Sequence, residues 1–128
     1  MKLFRCIFFA SLILTAGQAR ADSTWNRVVK GGARTAIGSV GVVTNDCKGG
    51  PLPMVSTEPA HGTLELLKED RPVTNPNAGC AGKSVPQGRA YYTATKGYRG
   101  PDSFVLRSNV YNGRVDIPSY VTVNVTVQ

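Results

Sequence analysis

The last strand-like stretch constrains this chain most. Val121, Val123, Val125 and Val127 alternate with Thr122, Asn124 and Thr126, the period of two that belongs to a strand with one buried face. The same logic runs backwards through the sequence. Phe104 and Leu106 share one face of a preceding segment, while Ser103, Val105 and Arg107 share the other. Between the two segments stands Asn112-Gly113, a hairpin signal because both residues tolerate positive φ. The last two strands are therefore expected to pair antiparallel. From Asp22 onward no window sustains an apolar repeat at 3.6 spacing, and short alternating segments recur between clusters of Gly, Pro, Asn and Asp. This pattern predicts an all-β domain of about seven strands, near 27–30, 36–44, 52–57, 63–68, 88–94, 103–110 and 115–127.

The first 21 residues have another organisation. Lys2 and Arg5 precede an apolar run from Cys6 to Ala16, and Ala19-Arg20-Ala21 supplies a small-x-small cleavage site. Residues 1–21 are expected to be a signal peptide, with the mature chain starting at Asp22 and Cys6 lost with the signal. The apolar run is about half of the roughly 20 residues that a membrane span requires, so no membrane span is expected. The remaining 22–128 suffice for one domain with one core. Removing Lys2, Arg5 and Arg20 from the 15 basic residues leaves 12 against 8 acidic ones, a net charge of +4 in place of +7. A secreted or periplasmic destination follows from the signal.

In that oxidising setting Cys47 and Cys80 are expected to pair. Such a bridge would contribute about 4 kcal/mol on the loop-entropy model. Two thiols and the single histidine, His61, are too few for a soft-ligand metal site, and a close Cys-x-x-Cys redox spacing is absent. No metal and no cofactor is expected. The stretch 69–87 carries Pro72, Pro76, Pro86, Asn75, Asn77, Gly79 and Gly82 with little periodic apolar content, so a long loop is expected there. Cys80 would pin its middle to the end of the second strand. A fixed surface loop of this kind is where binding residues concentrate, which makes Arg71, Asn75, Asn77 and Lys83 the candidate binding loop.

A second landmark lies at Gly97-Tyr98-Arg99-Gly100-Pro101-Asp102-Ser103-Phe104. Two glycines, a proline and an aspartate make a tight corner between two strands. Gly97, Tyr98, Gly100, Asp102 and Phe104 are its expected structural residues: Tyr98 and Phe104 as apolar anchors, Asp102 as acceptor of backbone N–H bonds. A strand follows the corner, where a phosphate-binding glycine loop would need a helix start.

Two of these segments carry a resemblance. Pro59-Ala60-His61-Gly62-Thr63-Leu64 resembles the Pro-x-His-Gly-Thr turn of bacterial Ig-like, cadherin-like domains of secreted and surface proteins. The run from Tyr92-Thr93-Ala94 through Gly97-Tyr98-Arg99-Gly100-Pro101-Asp102-Ser103-Phe104 resembles that family's Tyr-Thr-Pro-x-x-Gly-Tyr-x-Gly-x-Asp-Ser-Phe signature. The closing valine strand after an Asn-Gly turn completes the likeness, which extends over roughly 36–128. It implies an Ig-like Greek-key β-sandwich and carries little about function, because the architecture hosts many activities. Ala94 stands where the family usually has proline and Leu106 where it often has an aromatic. Asn109 and Asn112 occupy positions where a calcium site would need carboxylates. The Cys47–Cys80 pair and its loop are additions to the common pattern.

Chemistry-bearing residues are sparse. His61 sits among Pro59, Gly62 and Thr63 as a turn residue, and nothing marks a nucleophile or an orienting acid for it. Glu65 alternates with Leu64 and Leu66 on a solvent face, while Glu69 and Asp70 are expected to begin the long loop. The chain is thus expected not to be an enzyme. Basic residues are scattered: Arg27, Lys30 and Arg34, then Arg89, Lys96, Arg99, Arg107 and Arg114. If strands bring Arg89, Arg107 and Arg114 onto one face, a patch for anionic polymers results. A nucleic-acid partner is not expected, since no recognition motif is present. Tyr91, Tyr92, Tyr98, Tyr111 and Tyr120 fit core and sheet-surface positions. The leading expectation is a binding module for a protein or cell-envelope component, acting through the pinned loop or a sheet edge. Its alternative is a protease inhibitor, because Asn75-Pro76-Asn77-Ala78-Gly79 resembles the Asn-Pro-rich loop of chagasin-type inhibitors.

Overall fold

The computed structural model describes residues 23–41, 44, 46–111 and 113–128. The expected signal peptide, Asp22, residues 42–43 of the second expected strand and the Asn112 half of the Asn-Gly turn lie outside the described residues.

Seven strands form two sheets: β1 (Ser23–Val29), β2 (Thr35–Val40), β3 (Met54–Thr57), β4 (Gly62–Pro72), β5 (Ser84–Ala94), β6 (Gly100–Tyr111) and β7 (Asp116–Val127). The first sheet has the order β1-β7-β6-β3 and the second β2-β5-β4. The chain crosses between sheets at β1–β2, β2–β3, β3–β4 and β5–β6, and turns back as hairpins at β4–β5 and β6–β7. This is the Greek-key connectivity of the immunoglobulin sandwich, with the first strand lying parallel to the last. All other pairs are antiparallel. The β6–β7 ladder runs from Gly100↔Val127 to Tyr111↔Asp116, as the Asn-Gly signal predicts.

Alternation decides what is buried. Val123, Val125 and Val127 of β7 and Phe104 and Leu106 of β6 meet Ala90, Tyr92 and Ala94 of β5 and Ile37 and Val40 of β2 in one core. Burial of each large side chain there is worth about 1.5–3 kcal/mol. Trp25, Leu64, Leu66 and Val121 close the margins. β2 carries a bulge between Ala36 and Gly38, which leaves the intervening residue outside the ladder. The Ile37 carbonyl instead accepts a hydrogen bond from Arg27 Nε at 2.8 Å. Arg27 thereby ties the edge of one sheet to the edge of the other.

The expected long loop over 69–87 is shorter in the structure. β4 and β5 stay in unbroken register from Gly62↔Ala94 to Pro72↔Ser84, so the connection is 73–83. Glu69, Asp70 and Arg71 are strand residues. The prolines that suggested a loop are tolerated for a positional reason. Pro72 ends an outer strand, and Pro86 lies beyond Gly88, the last β5 residue that β2 pairs. On neither side is the missing N–H demanded by a neighbour.

Candidate functional site

The two ends of the sandwich are built differently. At one end Asp102, only 8% exposed, receives four hydrogen bonds. Its Oδ1 accepts from the backbone N–H groups of Ala60 at 3.0 Å and Ser103 at 2.9 Å. Its Oδ2 accepts from the His61 N–H at 3.0 Å and from the Tyr92 hydroxyl at 2.7 Å. Ala60 and His61 belong to the β3–β4 crossover and Ser103 follows the β5–β6 crossover, so one carboxylate ties two inter-sheet connections together. Burial alone would raise the Asp102 pKa, but the hydrogen bonds from Tyr92, Ser103, His61 and Ala60 hold it below the usual carboxylate range. The Tyr92 hydroxyl is pushed well above its ordinary value, first by burial and then by the bond to Asp102.

The neighbours complete this corner. The His61 ring stacks on Tyr98 at 3.9 Å between centroids, with 5° between planes, and the Tyr98 hydroxyl donates to the Pro101 carbonyl. Tyr92 packs over Phe104 at 6.1 Å. Gly62 lies against the Tyr92 ring so closely that a Cβ would meet ring atoms at 2.5 and 2.6 Å and the Thr93 carbonyl oxygen at 2.7 Å. His61, Gly62, Tyr92, Tyr98, Asp102 and Phe104 therefore form one structural knot. His61 and Ser103 stand beside the carboxylate, whose donors come from the backbone and Tyr92, while the imidazole face stacks on Tyr98.

At the far end of β4, Cys47 and Cys80 sulfurs lie 2.09 Å apart, a disulfide distance. The pair links the β2–β3 connection to the β4–β5 connection. Cys47 takes φ of 60°, a left-handed conformation unusual for a side-chain-bearing residue. Gly49 follows it with φ of 75° against the Pro86 carbonyl, where a Cβ would stand 2.2 Å from the oxygen. The 73–83 connection is also internally bonded. The Val73 N–H donates to the Lys83 carbonyl, the Gly82 N–H to the Val73 carbonyl, and the Asn77 N–H to Asn75 Oδ1 at 3.0 Å.

A groove of about 320 Å³ opens at the root of this connection, lined by Ser39, Arg71, Pro72, Val73, Thr74, Asn75 and Gln87. Of the four expected loop residues, Arg71 and Asn75 line it, whereas Asn77 supports Asn75 and Lys83 contributes its backbone to the loop's closure. Ser39 and Gln87 were not among the sequence candidates. Each is a polar residue of a strand, and only the pairing of β2 and β4 on either side of β5 brings them beside Arg71.

A polar ladder runs along the outer face of this sheet toward the groove. The Arg34 guanidinium lies 3.6 Å from the Tyr91 ring centroid and pairs with Glu65 at 2.9 Å. The Tyr91 hydroxyl donates to Glu69. Glu69 stands 3.8 Å from Arg89 Nε, and Arg89 Nη1 donates to Ser39 Oγ at 3.4 Å. The condition set for a basic patch, Arg89 and Arg107 on one face with Arg114, is not met for the first two. Arg89 pairs in the three-stranded sheet with Ser39 and Leu67, while Arg107 pairs in the other sheet with Met54 and Tyr120, so the two project from opposite faces of the sandwich. Among the described residues no three His, Cys, Asp or Glu side chains are grouped as metal ligands, and no helix is long and apolar enough to cross a membrane. Comparison of the chain with protein-family models, curated proteins and solved structures finds no match.

Proposed function

We propose that this protein is a secreted or periplasmic Ig-like module that works by binding and not by catalysis, recognising a cell-envelope component at the disulfide-tied end of the sandwich. The observation that carries the reading is the groove at the root of the 73–83 connection, where Arg71 and Asn75 meet Ser39 and Gln87; the Cys47–Cys80 pair ties that connection down. A rigid two-sheet frame holds this surface while its own connections are bonded internally, which lowers the ordering cost of binding. The cysteine pair supports an oxidising location.

The test is affinity capture from native envelope with the mature chain and a variant in which 74–79 is exchanged for Gly and Ser, keeping Cys80. Capture should be lost while the β-type circular dichroism and the melting transition persist. Undiminished capture by the variant would contradict the loop as the binding surface. The exposed turn at Asn75-Pro76-Asn77 favours one second reading, presentation of that turn to a protease. Inhibition of papain-like or serine proteases by the mature chain, lost in the same variant, would replace the envelope reading; no inhibition across both classes removes the second one.

A further inference from the structure

Resting on the binding reading above, we propose that the groove beside Arg71 takes an anionic oxygen group, carboxylate or phosphate, carried by an envelope polysaccharide. The residues lining the groove offer a guanidinium, hydroxyls from Ser39 and Thr74, and side-chain amides from Asn75 and Gln87, with no carboxylate among them. Arg71 is exposed and has no ion-pair partner among the described residues. Its planar fork of donors suits carboxylate and phosphate oxygens. The Gln87 amide Nε2 donates to the Arg71 carbonyl at 3.0 Å, which fixes the backbone that presents the guanidinium. Asn75 Oδ1 is already used by the Asn77 N–H, so what Asn75 has left to offer a ligand is its NH₂ group.

A second cation stands behind this wall. Arg89 reaches Ser39 through a long hydrogen bond of 3.4 Å, and its Nε is buried with no hydrogen-bond partner among the described residues. Glu69, 3.8 Å away, offsets the charge of Arg89 while also accepting from Tyr91. Asp70 alternates to the opposite face of β4 from Glu69 and Arg71. The charge left uncompensated at the groove is therefore that of Arg71. Pro72 and Val73 add an apolar strip beside these donors, a combination that suits a sugar ring bearing an acidic substituent. The volume, about 320 Å³, lies at the small end of the range for small-ligand sites, which fits one ring of a longer chain.

The experiment is an amide chemical-shift titration of the mature, disulfide-intact chain with D-glucuronate, inorganic phosphate and D-glucose at constant ionic strength. Glucuronate or phosphate should give saturable shifts concentrated at Ser39, Arg71, Thr74, Asn75 and Gln87, and whichever binds tighter identifies the acidic group. Glucose should bind at least ten-fold more weakly, Arg71→Gln should weaken the anion about ten-fold, and Lys96→Gln, far from the groove, should leave it unchanged. Equal response to glucose, an Arg71→Gln variant that binds as well as the parent, or shifts centred elsewhere would each overturn the proposal. If envelope capture depends on 74–79 while neither anion binds, the anion assignment falls and the binding module stands. If an anion binds at the groove while capture ignores the loop, the site stands and the module reading falls.

Discussion

Asp102 does the work of several residues because its four donors come from three separate pieces of chain. Replacing it with alanine removes three part-buried N–H bonds and leaves the buried Tyr92 hydroxyl without its acceptor, so a loss of about 3 kcal/mol is expected. In thermal melts this corresponds to roughly 10–20 °C. The pH dependence follows from the two shifts. Asp102 is held below its ordinary value near about 4, so its contribution is complete above that pH and is lost as pH falls through the lower folded value. Tyr92 is raised above its ordinary value near about 10, so its contribution is complete below that pH and is lost as pH rises beyond it. Melting temperatures should therefore form a plateau between about pH 5 and 9, and Tyr92→Phe should flatten the alkaline limb. Gly62→Ala should cost about 1–3 kcal/mol by forcing a Cβ into the Tyr92 ring. The capping role of Asp102 was legible from its turn chemistry. Its reach across more than 40 positions to Ala60 and His61 was not, because nothing local in a sequence encodes which distant N–H groups a carboxylate will meet.

At the scale of elements, alternation and turn residues gave the number of strands, although β1, expected at 27–30, begins at Ser23 and β2, expected to reach 44, ends at Val40; the valine strand β7 has the buried face that its period requires. The ends of β4 and β5 were hidden behind prolines. A proline argues against a strand only where a ladder needs its N–H, and that depends on which neighbour is present. The disulfide pair was legible from the cysteine count and the oxidising compartment that the sequence led one to expect. Its structural consequence is that two connections, 41–53 and 73–83, are fastened to each other at the groove's end of the molecule. The double variant Cys47→Ser/Cys80→Ser should lose about 4 kcal/mol, seen as a fall in melting temperature of roughly 15 °C or more. It should also lose envelope capture at temperatures where it is still folded. Retained capture in a folded double variant would show that the tie serves stability alone.

For the whole molecule, β4 separates two kinds of construction. Gly62, its first residue, lies in the knot around Asp102, and Pro72, its last, lines the groove, a separation of about 35 Å at ordinary strand rise. One end holds the two sheets together. The other presents a groove whose uncompensated cation is Arg71. The cysteine and the Asn- and Pro-rich connection pointed in the sequence to the end where the groove lies, but Ser39 and Gln87 were missed, since a wall made by three strands exists only after they pair. Whether Arg89 and Arg107 share a face was likewise open in the sequence, and the sandwich sends them to opposite faces.

This division of labour is tested most directly by measuring envelope capture and thermal stability together on two variants, Asp102→Asn and Arg71→Glu. Asp102→Asn should melt well below the parent yet capture normally in the cold, whereas Arg71→Glu should melt within about 1 °C of the parent, as exposed substitutions do, and fail to capture. Capture that is lost with Asp102→Asn while the chain is folded, and kept with Arg71→Glu, would contradict it.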